Sequence, residues 1–445
     1  MSENTFAPKD CGDMMCVMSQ SEGQLKRVLG VKDAVVMGLG SIMGTGAFVS
    51  LGIAAGVSGE YFFLSLFLAA VLAGLNGLST AQLASKYPVS GGAYEYARGE
   101  VSNFVGFLAG WLFLVAKSAS ASTATLGTVA AISSIFSLGL DRLQMGVFAA
   151  LSAMVIGLFV CLGLKRSQIV NRLLVSIVLV ALIVFGFVCL ASEPQPYVSL
   201  SPSLKPGIKE VFYGAALLFV SFTGYGRVAT LGEEVIDPKR TIPIAVVLSL
   251  VVAFGVYFWI SICSIYVVGE VGFGELAIKS YAPLQSIARI MGYDWLRIVL
   301  VFAALAAMLG VLLNLILGLS RVALAMSRHK DLPSVFDYVS TKGEPVKATM
   351  LITIVIMVFC LTEKLEKSWE LSTLTVLLYY SITNISALKL KTKERFLSSH
   401  YSALGLIGCL SLAFFVDSDS LLKGLAVIVI GSAYYYIRQK YFKKS

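Results

Sequence analysis

"GLGSIMGTGAF", residues 38–48, sets four glycines among eleven residues in the middle of an apolar run from Ala34 to Gly56. The run is long enough to cross ~30 Å of hydrocarbon as a helix. A glycine inside a helix costs roughly 1 kcal/mol relative to alanine, so the centre of this segment is its weakest part. Two physical accounts are open. Gly40 and Gly44, four apart, would let a neighbouring helix approach closely. Alternatively, the glycines interrupt the helix near Gly44–Gly46, which at membrane depth is tolerated only where the freed backbone is buried in protein or lines a cavity.

The surrounding composition establishes the solvent. Of 445 residues, 57% are hydrophobic and 14% charged, against about 25% charged in a soluble domain. Apolar segments recur near residues 33–56, 60–85, 102–133, 144–163, 169–191, 211–235, 242–268, 296–324, 348–362, 370–388, 399–416 and 420–437. This pattern predicts an all-α integral membrane protein with twelve transmembrane helices and both termini in the cytoplasm. The net charge of +9 is then topology, and nucleic acid is not an expected partner. Most lysines and arginines, such as Lys165-Arg166, Lys239-Arg240 and Lys389, fall on loops of the inner side, the bias that sets orientation. Residues 1–24 carry no apolar stretch of a cleavable signal, so the first span is read as the insertion signal. Cys11 and Cys16 in this tail lack the rest of a metal-ligand set, and the other cysteines lie in apolar spans, where small hydrophobes are ordinary.

A second interruption answers the first. "FVSFTGYGRVATLGEE", residues 219–234, places Thr223-Gly224-Tyr225-Gly226 between two apolar half-segments of the sixth span. The two breaks share a Thr-Gly core and open corresponding halves of the chain, spans 1–5 and spans 6–10. Glycine-interrupted helices at matching positions point to an inverted-repeat transporter with its site at the breaks, as in the leucine-transporter fold. Half-helix N-termini carry partial positive charge and hold a carboxylate, while unpaired carbonyls hold an ammonium. A broken pair therefore suits an α-amino acid. The expected organisation is a tail over 1–30, a first repeat over 31–191, a second over 192–388, and two accessory spans with a tail over 389–445.

At these residues the chain resembles the amino acid–polyamine–organocation superfamily of permeases. The first-span motif stands here as Gly40-Ser41-Ile42-Met43-Gly44-Thr45-Gly46-Ala47-Phe48, and the loop after span 2 as "YPVSGGAYEYAR" (87–98). The sixth-span motif reads Phe219-Val220-Ser221-Phe222-Thr223-Gly224-Tyr225 and runs on to "EEVIDPKRTIP" (233–243), and span 8 ends in "SRVALAMSRHKDLP" (320–333). The resemblance implies that amides around Gly44, Thr45 and Gly46 take the substrate carboxylate. It also implies that the carbonyls of Ile42, Phe219, Val220 and Thr223 take the amino group. Phe222 or Tyr225 either covers the site or is a packing aromatic. Within "DPKRTIP", Thr241 is read as the cap of span 7 and Pro243 as a first-turn residue. Sodium-coupled members place hydroxyls on span 8 where this chain has Leu309-Gly310, so a sodium site of that type is not expected. Some proton-coupled members carry a span-5 lysine where this chain has Val178.

Two cations stand inside spans with no carboxylate at a span centre to meet them. Lys117 lies midway along span 3, and Arg227 directly follows the second break. A cation at mid-membrane costs ~2.5–3.5 kcal/mol even on the lenient insertion scale. Each is a structural cation, a gate or coupling element, or a contact to substrate. Arg227 has Glu234 as its gating partner in one reading. Lys117 is the one able to carry protons, because arginine stays charged. A fixed positive charge beside the site opposes a second ammonium, which disfavours cationic substrates. Neutral amino acids are favoured, with acidic ones admitted if Arg227 faces the pocket.

The sequence thus predicts a secondary active transporter for an α-amino acid in a plasma or bacterial inner membrane, surrounded by lipid and without a cofactor. Proton symport through Lys117 and exchange of one amino acid for another stay open. Other classes are a sensor on the same fold, a channel, and a membrane enzyme. The last would need clustered titratable residues, and the two histidines, His329 and His400, lie at span ends.

Overall fold

The computed structural model describes residues 25, 27–136, 138–194, 207–280, 282–362, 365–416 and 418–442. Cys11, Cys16 and the tail before Leu25 lie outside them. The chain forms α1 (Val31–Ile42), α2 (Leu51–Ser58), α3 (Phe62–Lys86), α4 (Ala93–Glu100), α5 (Asn103–Phe136), α6 (Arg142–Val160), α7 (Leu164–Ala191) and α8 (Ile208–Phe222). It continues as α9 (Gly226–Ala229), α10 (Pro238–Ser280), α11 (Pro283–Ile290), α12 (Asp294–Arg328), α13 (Val346–Thr362), α14 (Leu365–Lys389), α15 (Ser399–Phe414) and α16 (Ser418–Phe442). Among the described residues there is no strand. Two isolated bridges pair Leu29 with Val235 and Ser90 with Leu231.

Nine of the described helical segments are long and apolar enough to cross a membrane. The expected spans at 348–362 and 399–416 fall on α13 and α15, which are apolar but shorter. The chain is a multi-pass membrane protein. Its rim consists of apolar side chains that a watery solvent would not tolerate in such density, among them Val155, Val180, Phe187, Val251, Phe302 and Phe414. These face hydrocarbon.

The interior is built around the interrupted segment. The most apolar 18-residue stretch of Ile208–Ala229 is 89% buried inside the protein, whereas that of Asp419–Lys440 is 22% buried. The sixth span is therefore central and α16 peripheral. Helix α5 packs against α12 and α14, and α10 runs beside α1, α2 and α3. Small and hydroxyl residues make these contacts close: Ser120 meets Ser372 at 2.6 Å and Ser122 meets Ser368 at 3.3 Å across α5 and α14. Thr123, Thr125 and Thr128 instead return their hydroxyls to their own helix backbone. The serine and threonine run of span 3 is thus mainly a packing seam.

The start of α10 corrects one local expectation. The helix begins at Pro238, after Asp237 at φ 47°. Thr241 already lies inside it and donates its hydroxyl to the Ile236 carbonyl at 2.8 Å, so it does not act as the cap. Proline without an N–H is suited to that first position, and Pro238 takes it rather than Pro243. Gly269, at φ 71°, kinks the far part of the same helix.

Candidate functional site

The first interruption falls where the glycines cluster. Helix α1 stops at Ile42, Met43 leaves helical geometry at ψ 32°, and the chain resumes after Thr45 as a π-helical turn over Gly46–Ser50. A π turn has a wider ladder than an α-helix and recurs at functional sites. The second interruption is a 3₁₀ turn, Thr223–Tyr225, joining α8 to the four-residue α9. The two breaks touch. A Cβ on Gly224 would come within 2.6 Å of the Ser41 carbonyl carbon and 2.7 Å of the Ile42 nitrogen, so only glycine lets the backbones meet there.

Between them lies one cavity. Its walls come from the first break (Ser41, Ile42, Thr45, Gly46), the second (Val220, Ser221, Thr223, Gly224, Arg227) and α5 (Phe113, Lys117, Ser120). Helix α12 supplies Val311, Leu315, Gly318 and Leu319, and α14 supplies Trp369. Of the residues singled out from the sequence, Ile42, Thr45, Gly46, Val220, Thr223, Lys117 and Arg227 line it together. Gly44 lies just behind, against Val311.

The three aromatics of the sixth-span motif point elsewhere. Phe219 stacks edge-on to Tyr380 at 5.7 Å, Phe222 edge-on to Tyr257 at 5.0 Å, and Tyr225 lies 5.6 Å from Tyr380. Phe222 and Tyr225 therefore pack rather than cover the cavity. Phe113 and Trp369 are the aromatics that face it, and no local pattern in the sequence distinguished them from other span residues.

Several backbone acceptors at the breaks already have partners. Tyr257 donates to the Ile42 carbonyl at 2.7 Å and the Ser221 carbonyl at 3.2 Å. The Thr223 hydroxyl donates to the Val220 carbonyl at 2.7 Å, and Tyr380 reaches the Thr223 carbonyl at 3.4 Å. A carbonyl has two lone pairs, and those of Ile42, Val220 and Thr223 each also accept a backbone amide, from Gly44, Thr223 and Gly226 respectively, so an ammonium there would share or displace these donors.

The electrostatics are uneven. Lys117, 5% exposed, donates to the Thr223 hydroxyl at 2.7 Å and lies 6.0 Å from the Tyr379 ring centre. This ties α5 to the second break. Arg227, 3% exposed, donates through Nη1 to Thr230 at 2.8 Å. Its arm lies over Gly318, where a Cβ would stand 2.7 Å from Cδ.

Glu234 is not the partner of Arg227. It accepts from Arg321 of α12 at 2.6 and 3.1 Å, and Arg321 also reaches Glu344 at 2.9 Å. Arg321 is fully buried, although in sequence it reads as an ordinary loop-side charge. Glu344 further accepts from the Leu164 amide at 2.6 Å, drawing the start of α7 into the cluster. Burial, with the nearby Glu234 charge, pushes the Glu344 carboxyl above its ordinary range, and Arg321 pulls the other way. Around this triad the same end of the bundle carries further pairs: Glu233 with Arg328, Asp331 with Arg98, and Glu95 with His329. The backbone contributes too. Val28 and Leu29 both donate to the Glu234 carbonyl, and Ile236 donates back to Leu29. This bridge straps the segment before α1 to the segment after α9.

Among the described residues no group of three or more His, Cys, Asp or Glu could hold a metal ion. The cavity has hydrogen-bonding backbone, two cations and aromatic walls.

Comparison with known proteins supplies the family. The family described as Amino acid permease matches residues 33–444. The chain is 37% identical over 417 residues to an uncharacterized transporter of Mycobacterium tuberculosis (strain ATCC 25618 / H37Rv), covering 94% of this chain and 92% of the relative. It is 26% identical over 470 residues to the branched-chain amino acid permease BcaP of Bacillus subtilis (strain 168), covering 100% and 99% of the two. Similarity at 27% over 364 residues extends to the vacuolar cationic amino acid transporter 4 of Arabidopsis thaliana, covering 77% of this chain and 60% of that one. These relatives are permeases and transporters, not enzymes.

Proposed function

The chain belongs to the amino acid permease family, and from that premise we propose that it is a secondary transporter holding one α-amino acid between its two interrupted helices. The observation that carries this reading is the cavity that residues of both breaks line together. Amides around Gly44, Thr45 and Gly46 take the carboxylate. The carbonyls of Ile42, Phe219, Val220 and Thr223 take the ammonium. Twelve crossings, with residues 31–191 and 192–388 as inverted repeats and 389–445 as accessory spans and tail, rock the site between the two sides. Both termini are cytoplasmic in this reading, following the charge bias of the loops.

Coupling is assigned to Lys117. Its hydrogen bond to Thr223 on the second break exists in full strength only while the lysine is charged. Loss of a proton would loosen α5 from the broken helix. Glu234, held by Arg321, locks the end of the bundle that must open toward the cytoplasm. Exchange is the second reading, and the same bond supports it if Lys117 never releases its proton and only braces the break.

Purified protein in liposomes, a panel of labelled amino acids and an imposed pH gradient decide between these. Symport predicts uptake that follows the inward proton gradient and is lost in Lys117→Ala. Uptake that needs internal amino acid and ignores pH makes the protein an exchanger. If no amino acid binds or moves, the substrate class is wrong.

A further inference from the structure

The cavity has an excess of donors on one side that an α-amino and α-carboxyl group do not use. Arg227 lines it while almost wholly buried, and only Nη1 has a partner, Thr230. Nε and Nη2 have none among the described residues. These two nitrogens form one edge of the guanidinium plane, the side-on fork that matches the two oxygens of a carboxylate. A buried charged donor without an acceptor is costly, and such a group usually has a partner in some functional state.

The described residues do not offer one. None of the described residues lining the cavity is acidic. The two nearby carboxylates in the interior, Glu234 and Glu344, are both committed to Arg321. Their surplus negative charge offsets Arg227 at a distance but makes no hydrogen bond to its free edge. Lys117, the second cation of the same cavity, spends one donor on Thr223 of the three an ammonium carries. Gly318 leaves room for the Arg227 arm to lie against α12, and both residues line the cavity there.

We propose that the cargo is an acidic amino acid, whose side-chain carboxylate takes the free Nε–Nη2 edge of Arg227 while its α-groups occupy the two breaks. This rests on the amino acid reading above and narrows it to a dicarboxylic substrate. The sequence admitted acidic substrates on the condition that Arg227 face the pocket, and it does. A neutral side chain would leave the fork unmet, and a cationic one would add a third positive charge.

The test pairs each acid with its own amide, which is nearly identical in shape and differs in charge. Full-length protein in proteoliposomes is assayed at pH 7 for uptake and binding of L-glutamate, L-glutamine, L-aspartate and L-asparagine, with L-leucine and L-alanine as neutral comparators. A charge-assisted bidentate contact predicts at least one acid bound about tenfold or more tighter than its amide. Arg227→Gln should bring that ratio to near one, and Arg227→Lys, which keeps charge without the fork, should leave it in between. If an amide or a neutral comparator binds as well as the acids in the unaltered protein, this inference is overturned while amino acid transport stands. If nothing in the panel binds, both fall. The comparison in the unaltered protein decides even if a variant does not fold.

Discussion

The central cavity and the ion cluster at one end of the bundle are opposite solutions to a buried charge. In the cavity, two cations, Lys117 and Arg227, meet no carboxylate among the described residues. A little under a helical turn along α12 from Gly318 in the wall of that cavity, Arg321 meets two. A buried charge that is fully paired holds elements together, and removing one partner strands the other. A buried charge left partly unpaired weakens the resting fold and is kept where something else supplies the counter-charge or takes the proton. The contrast separates what locks the molecule from what the molecule offers to a ligand.

The sharpest way to break the comparison is to delete one cation on each side. Arg321→Met leaves two carboxylates in the interior and should cost about 3–5 kcal/mol, read as a large fall in the thermal unfolding temperature of the detergent-solubilised protein. Lys117→Met removes a cation that has only a neutral hydroxyl for a partner. Its unfolding temperature should stay level or rise, even as uptake suffers. Equal falls in both variants would erase the distinction.

The meeting of the two breaks comes next. Gly224→Ala drives a methyl into the backbone of Ser41 and Ile42, and overpacking of this kind costs about 1–3 kcal/mol. Ligand affinity should fall with stability, because the strain lands on the cavity wall.

A smaller effect sharpens the cluster itself. Burial holds Glu344 above its ordinary value of 4.5, so the folded form keeps its proton to higher pH than the unfolded form. The stability this contributes is full below about 4.5 and declines as pH rises through the folded value. Glu344→Gln should therefore flatten the pH dependence of unfolding in that window and cost less than Arg321→Met. At the bottom of the scale, Asp294→Asn weakens the exposed Asp294–Arg297 pair on α12, and no more than about 0.5 kcal/mol should register.

The membrane class and both interruptions were legible in the sequence because each is a local matter: apolar runs, and glycines clustered inside them. The shared cavity followed from the matched positions of the breaks. What could not be read was long-range or rotational. Arg321 lies 87 residues from Glu234 and 23 from Glu344, so nothing beside it in the chain marks it as buried, and Glu234 looked instead like a partner for the nearer Arg227. Phe222 leads into a 3₁₀ turn and Tyr225 ends it, and there the rotation per residue departs from that of an α-helix. Which face they present therefore cannot be counted off. Phe113 and Trp369 reach the cavity only because α5 and α14 pack side by side.

The strap between Leu29 and Val235 bears on how many independent motions this end of the molecule has. The segment entering the first interrupted helix and the segment leaving the second are joined main chain to main chain, and Glu234, whose carbonyl makes the join, has its side chain on Arg321. Two hinges connected by such a crossbar share one degree of freedom. A swing of either half-helix drags the other, and both depend on the same latch. If this end opens as proposed above, such a coupling favours a two-position device, open or shut, over one that leaks through a half-open intermediate.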